Sequence, residues 1–462
     1  MSSHEHKSLD QPEVISPTGG PPVTRRDFLK VAGLGAAALS AGGGLGGALA
    51  ACGGGTSSSS SSSASGREIK VGFVTPLTGP LAAFGEADTF CVDQWRAAVK
   101  DGIKTADGQV HPVTILVRDS QSDGNRAATV AGDLMTNDSV DMMITASTSD
   151  TVNQVADQAE AFGVPCFSSD SPWQNFYFGR GATPDKPFKW TYHAFWGIET
   201  NSAVQLDIWS PLQTDKTIGL MCPNDADGLA LASPKTGLPF FFVKGGYKVV
   251  DGGRFQDGTE DFTSEIAKFK SANCDLVSGV MIPPDFVNFW KQCHQQGFQP
   301  KMVTMPKALL FPSVMESMGA IGYGLTCELW WSPKFPFASS LTKQTCQQLA
   351  DAFTAKTGKQ WTQPLMHYLL FEVAVDSLKR ATNLDDKNSI VEALKATDLA
   401  TIAGPIKFTQ GGANNPVPNV SVTPLAGGQW MKGADYPFEI FVVSNSQAPQ
   451  VQIQQKVQLL KY

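Results

Sequence analysis

From Ile69 onward, short β-rich runs alternate with amphipathic stretches, and this alternation limits the fold of the 462-residue chain more than any other feature. The apolar run 69–74 precedes segment 86–99, in which Ala87, Cys91, Trp95, Ala98 and Val99 recur at helical spacing. Strands at 113–117, 141–146 and 165–168 then alternate with helices at 125–135 and 151–161. Strands separated by helix-length segments must cross over and pair in parallel, with helices on both faces of the sheet. The rhythm restarts after residue 195, with strands expected at 217–222, 248–250, 275–281 and 301–305. Helices expected near 341–357, 364–381 and 389–396 bring no strands of their own, so the chain should return to the first unit. This layout predicts an α/β fold of two doubly wound parallel-sheet lobes, with a ligand cleft between them at the carboxyl ends of the strands.

The ends and the charge narrow the class. Residues 24–30 read Thr-Arg-Arg-Asp-Phe-Leu-Lys, and 31–51 are small, apolar and uncharged up to Leu49-Ala50-Ala51 before Cys52. That order is a charged region, an apolar region and a small-residue cleavage site. Arg25-Arg26 before Phe28-Leu29 resembles a twin-arginine export signal, and Leu-Ala-Ala-Cys resembles a lipobox in which Cys52 is acylated. The resemblance implies an exported chain, lipid-anchored on the outer face of the cytoplasmic membrane. Residues 53–66 contain only Gly, Ser, Ala and Thr and read as a flexible tether. Gly42-x-Gly44-x-x-Gly47 formally fits a dinucleotide fingerprint, but no strand precedes it and cleavage would remove it. Lys and Arg total 36 against 43 acids, without long blocks of like charge, which argues against a nucleic-acid partner. Beyond residue 51 no apolar stretch is long enough to span a bilayer. Eight cysteines include no C-x-x-C pair, so structural zinc is not expected. With Cys52 lipidated, seven remain. They read as small buried hydrophobes, with Cys274–Cys293 or Cys327–Cys346 as conceivable disulfides in an exported location.

The strand-end loops carry the chemistry. They are Thr75 to Gly85, Thr145-Ala146-Ser147-Thr148-Ser149-Asp150 at a helix start, Ser168-Ser169-Asp170-Ser171-Pro172-Trp173, and Pro223-Asn224-Asp225-Ala226-Asp227-Gly228. Hydroxyls and free backbone N–H groups at a helix start suit a carboxylate. Leu77-Thr78-Gly79-Pro80-Leu81-Ala82-x-Phe84-Gly85, the polar turn at 147–151 and the run from Gly163-Val164-Pro165 resemble the branched-chain amino acid-type solute-binding proteins of ABC importers, over about residues 68–455. That family implies the type I periplasmic-binding-protein fold, two lobes joined by three crossovers. It also implies an aromatic of the first loop over the ligand and a Ser or Thr on its carboxylate, here Phe84 and Ser149 with Ser147 and Thr148 beside it. The expected division is a signal peptide at 1–51, a tether at 52–66, lobe 1 at 67–192 plus 330–408, and lobe 2 at 193–329 plus 409–462.

The chain departs from the family at informative places. Lys307 stands where amino-acid binders of the family hold the ammonium with an acid, and Asp225 and Asp227 stand where an aromatic is often found. Lys307 with Ser149 points to an anion, so an aromatic or other organic acid is expected ahead of an amino acid. Asp170, Ser171, Trp173, Asp225 and Asp227 complete the candidate ligand-binding set. Aromatics cluster at 173–178, 190–196 and Trp330-Trp331. They read either as packing at the crossovers or as a wall for a flat ligand, or for a quaternary ammonium beside Asp170. Six scattered histidines and no G-x-S-x-G elbow argue against an enzyme, and neither cofactor nor metal is expected. The reading is a monomeric solute receptor with a membrane permease as partner. The alternatives are a ligand sensor of the same fold or, less favoured, a hydrolase.

Overall fold

In the computed structural model, residues 66–409 and 411–462 are described; the export motif, Cys52 and the tether up to residue 65 lie outside the described residues. The strand Ile69–Thr75 is buried at every position but Lys70, as a central strand covered on both faces must be. It pairs in parallel with Val113–Asp119 on one side and Met142–Thr145 on the other. Cys166–Ser168, Thr191–Ala194 and Val420–Ser421 extend the sheet to six parallel strands. The second sheet runs Met302–Val303, Leu276–Gly279, Thr217–Pro223, Lys248–Phe255, again parallel throughout. Thr304 bridges to Thr326 and thereby joins this sheet to a third, antiparallel one of Thr326–Leu329, Leu425–Met431 and Glu439–Gln447.

The chain leaves the first sheet after Ala194, returns after Leu329 and leaves again between Ser421 and Leu425. These are the three crossovers of a type I periplasmic-binding-protein fold. The helix Tyr368–Arg380 packs back on the first sheet, where Phe371 stacks on Trp95 with ring centres 5.2 Å apart. Two expected boundaries are corrected. The sequence reading ends the first segment of lobe 1 at residue 192, but His193 and Ala194 complete the strand Thr191–Ala194 of the first sheet. The sequence reading also places Val420–Ser421 in lobe 2, but this strand adds to the edge of the first sheet, because the Asn419 amide donates to the carbonyls of Phe188 and Thr191 and sets that register.

All seven described cysteines are buried and unpaired, so neither conceivable disulfide forms. Burial pushes the Cys166 and Cys222 thiols up to about 12, which keeps them protonated and inert. Among the described residues, no helix is long and apolar enough to cross a membrane.

Candidate functional site

Strand ends from both sheets converge on one buried cavity. Its lining includes Phe84, Thr148 and Asp170 from lobe 1 and Asp227, Lys307 and Glu328 from lobe 2. Phe195, Trp196 and Trp330 wall it on the crossover side. The cavity measures about 30 Å³ to the centre of a water-sized sphere. The lobes must therefore part to admit anything as large as an amino acid. Ser147, Thr148, Asp170 and Lys307 all sit in left-handed backbone, with φ of 80°, 55°, 66° and 69°. Non-glycine residues avoid this region, and such strain concentrates where a loop is held for binding.

Two cations anchor the site, each between two carboxylates. In lobe 1, His367 Nδ1 lies 2.6 Å from Asp88 Oδ1, while its Nε2 meets Asp170 Oδ2. Thr75 donates to the second oxygen of Asp88. Burial alone would pull the His367 pKa down, but Asp170 and Asp88 together raise it to about 10, so the ring is an imidazolium at neutral pH. In lobe 2, Lys307 Nζ lies 2.9 Å from Asp227 and 3.2 Å from Asp225. Burial opposes this charge too, yet the pair of carboxylates holds the ammonium above its usual range. Asp227 then reaches across the cleft. Its Oδ1 accepts from Ser149 Oγ and, at 2.8 Å, from the Asn175 amide, and Ser149 is 2.6 Å from Ser171 Oγ. These bonds tie the lobes in the closed arrangement.

This network revises the expected anion clamp. The Lys307 ammonium is already matched by two carboxylates, and the Ser149 hydroxyl is spent on Asp227, so neither is offered to an anionic solute. Of the expected residues, Phe84, Thr148, Asp170, Asp227 and Lys307 line the cavity. Ser149, Ser171 and Asp225 belong to the polar network at its edge. Ser147 is buried at the same helix start, and its hydroxyl has no partner among the described residues. Trp173 is turned away. Its indole N–H donates to Glu199 at 2.9 Å, and its ring leans on Phe178. The aromatic cluster thus divides. Phe176 stacks on His193 and, with Phe188, packs against the Arg180 guanidinium, whereas Phe195, Trp196 and Trp330 sit at crossovers and line the cavity as well.

Asp88, Asn175, Glu328 and His367 were not foreseen. Glu328 is fully buried, accepts from the Lys307 backbone N–H at 3.0 Å, and is pushed by burial up to about 8, so it holds its proton at neutral pH. Its only sequence signal is a charged residue within the apolar run Leu325 to Trp331, and His367 gives a similar one between Met366 and Tyr368. Asp150 is raised to about 6, by burial first and then by the charge of Asp227. Asp150, Asp225 and Asp227 bring carboxylate oxygens within 4.8 Å of one another. The cation among them is the Lys307 ammonium, which leaves a metal ion a poor competitor there.

A strained, polar-edged cavity closed between two doubly wound sheets defines a two-lobed small-molecule binding protein. Residues 68–429 match the periplasmic binding protein family, and the chain belongs to that family. Solved structures agree on the fold. A leucine-binding protein from Thermotoga maritima is 19% identical, with a TM-score of 0.65, over 82% of this chain and 99% of its own. A branched-chain amino acid transporter substrate-binding protein from Streptococcus pneumoniae, in complex with isoleucine, is 19% identical with a TM-score of 0.64, over 81% and 99%. An ABC transporter solute-binding protein from Rhodopseudomonas palustris, in complex with 3,4-dihydroxybenzoic acid, is 17% identical with a TM-score of 0.63, over 83% and 99%. The family and these neighbours are solute-binding proteins, not enzymes.

Proposed function

We propose that this chain is the lipid-anchored, extracytoplasmic receptor of an ABC importer, capturing a small organic solute between its lobes and delivering it to a membrane permease. The observation that carries the proposal is the interlobe cavity together with the bonds from Ser149 and Asn175 to Asp227 that close it. Capture needs no covalent step. A solute that contacts both lobes binds the closed form better than the open one and shifts the population by that difference. The three crossovers are the hinge. The structural neighbours bind isoleucine in one case and an aromatic acid in another, so the fold accommodates both classes, and the charge around this cavity must select. Cys52 supplies the anchor, and the tether at 53–66 gives the lobes reach from the bilayer.

Native mass spectrometry of the protein purified from its own cells should show a small organic adduct that is lost on unfolding. Asp227→Ala should lose most of it and expand in solution scattering. A compact, adduct-free protein whose dimensions no solute and no Asp227 substitution alters would overturn the receptor reading. Cys52→Ser should move the protein from the membrane fraction to the soluble one; continued membrane association would refute the anchor.

A further inference from the structure

We infer that the solute carries a protonated nitrogen with hydrogens to donate and no carboxylate, an amine or amidinium on an apolar or aromatic body, and that this group docks on the free Oδ1 of Asp170. The inference rests on the receptor reading above and names the ligand class for the same cavity. Five buried polar atoms on the lining residues have no partner among the described residues: Asp170 Oδ1, Glu328 Oε2, Thr148 Oγ1, and the indole Nε1 of Trp196 and Trp330. Buried polar atoms are nearly always matched, so five orphans around one cavity describe what its occupant must supply. The other oxygen of Asp170 is taken by His367, which leaves Oδ1 as an acceptor in need of a donor. A carboxylate would meet it oxygen to oxygen. A quaternary ammonium has no hydrogen to give it.

Charge selects in the same direction. Asp88 and Asp170 share His367, and Asp225 and Asp227 share Lys307, so the surroundings hold two carboxylates for each cation. A further anion in this water-poor site would be repelled by the surplus, whereas a cation balances it. Phe84, Phe195, Trp196 and Trp330 add aromatic surface suited to a cation on an apolar body. The two indole N–H groups require an acceptor elsewhere on the ligand. A hydroxyl or carbonyl oxygen provides one without adding negative charge.

The test is a thermal-shift and calorimetry panel on the whole protein with phenethylamine, tyramine and benzamidine as cations. Phenylacetate and 3,4-dihydroxybenzoate serve as anions, isoleucine and phenylalanine as zwitterions, choline as a quaternary ammonium and phenylacetamide as a neutral ligand. The cations should raise the melting temperature by several degrees at about a hundredfold excess over their Kd. Asp170→Asn should weaken their binding by on the order of 30-fold. Because that substitution also touches His367, Trp330→Phe is the second variant. It should weaken tyramine more than phenethylamine, since it removes an N–H and keeps a ring. A preference for the anions, the zwitterions, choline or the neutral amide would overturn the cationic class and leave the receptor intact. No shift with any class, together with no adduct in the native protein, would overturn both.

Discussion

The two buried cations are built alike and tied down differently. His367 and its two partners, Asp88 and Asp170, all belong to lobe 1, and their side chains are 1% exposed or less. Lys307, Asp225 and Asp227 belong to lobe 2, remain 5–12% exposed, and pass one carboxylate oxygen across the cleft. The first cluster keeps its bonds to His367 whether the lobes are open or shut. The second acquires part of its bonding only on closure. One is therefore part of the folded framework, and the other is a component of the moving joint.

Removing the cation from each cluster should expose this contrast most strongly. His367→Leu strands two carboxylates in the lobe 1 interior and should lower stability by about 3–5 kcal/mol in urea titrations. Lys307→Met should cost less, about 1–3 kcal/mol, because Asp225 and Asp227 gain water when the lobes part. Equal losses would erase the distinction. Asp227→Asn should shift the protein toward the open form at little cost in folding stability, read as a larger radius of gyration. Losing the charge from its two cross-cleft bonds weakens closure by about 1–3 kcal/mol.

Alkaline pH should weaken the lobe 1 cluster. Below pH 6.5 the imidazolium exists in folded and unfolded chains alike, and its pairing contributes in full. Between 6.5 and about 10 only the folded chain keeps the proton, so stability falls as pH rises, and above about 10 the contribution is gone. Glu328 acts in the same direction from 4.5 to about 8, since the folded chain holds a proton that the unfolded chain has lost. Denaturation midpoints taken from pH 5 to 9 should decline, and Glu328→Gln should flatten the lower half of that decline. The smallest effect is expected outside both clusters. Trp173→Phe loses the bond to Glu199, which should cost about 1 kcal/mol of stability and leave solute affinity unchanged.

The parallel sheets were legible because buried strands and amphipathic helices carry their periods locally, as in 69–74 followed by 86–99. The loops that bear the site were legible for a related reason, since in a doubly wound sheet they follow the strands. Pairing was not. Asp88 and His367 meet across 279 residues, and no local pattern records that contact. Lys307 shows the cost of reading a charge without its partners. Alone it suggests an anion site, and beside Asp225 and Asp227 it is already neutralised. The edge strand Val420–Ser421 is two residues long, too short for any periodicity, so nothing local ties it to the first sheet.

The seven sealed thiols bear on the order of events in the life of an exported chain such as the one proposed. Seven sulfurs exposed together to an oxidant can form three bridges with one left over in about a hundred ways, and the native structure uses none of them. Oxidation before folding is therefore only a source of dead ends for this sequence. Once the sheets have closed over Cys166, Cys222 and Cys327, each thiol is protonated and out of reach. The fold then acts as its own antioxidant, and the chain is best served by completing it on the reducing side of the membrane.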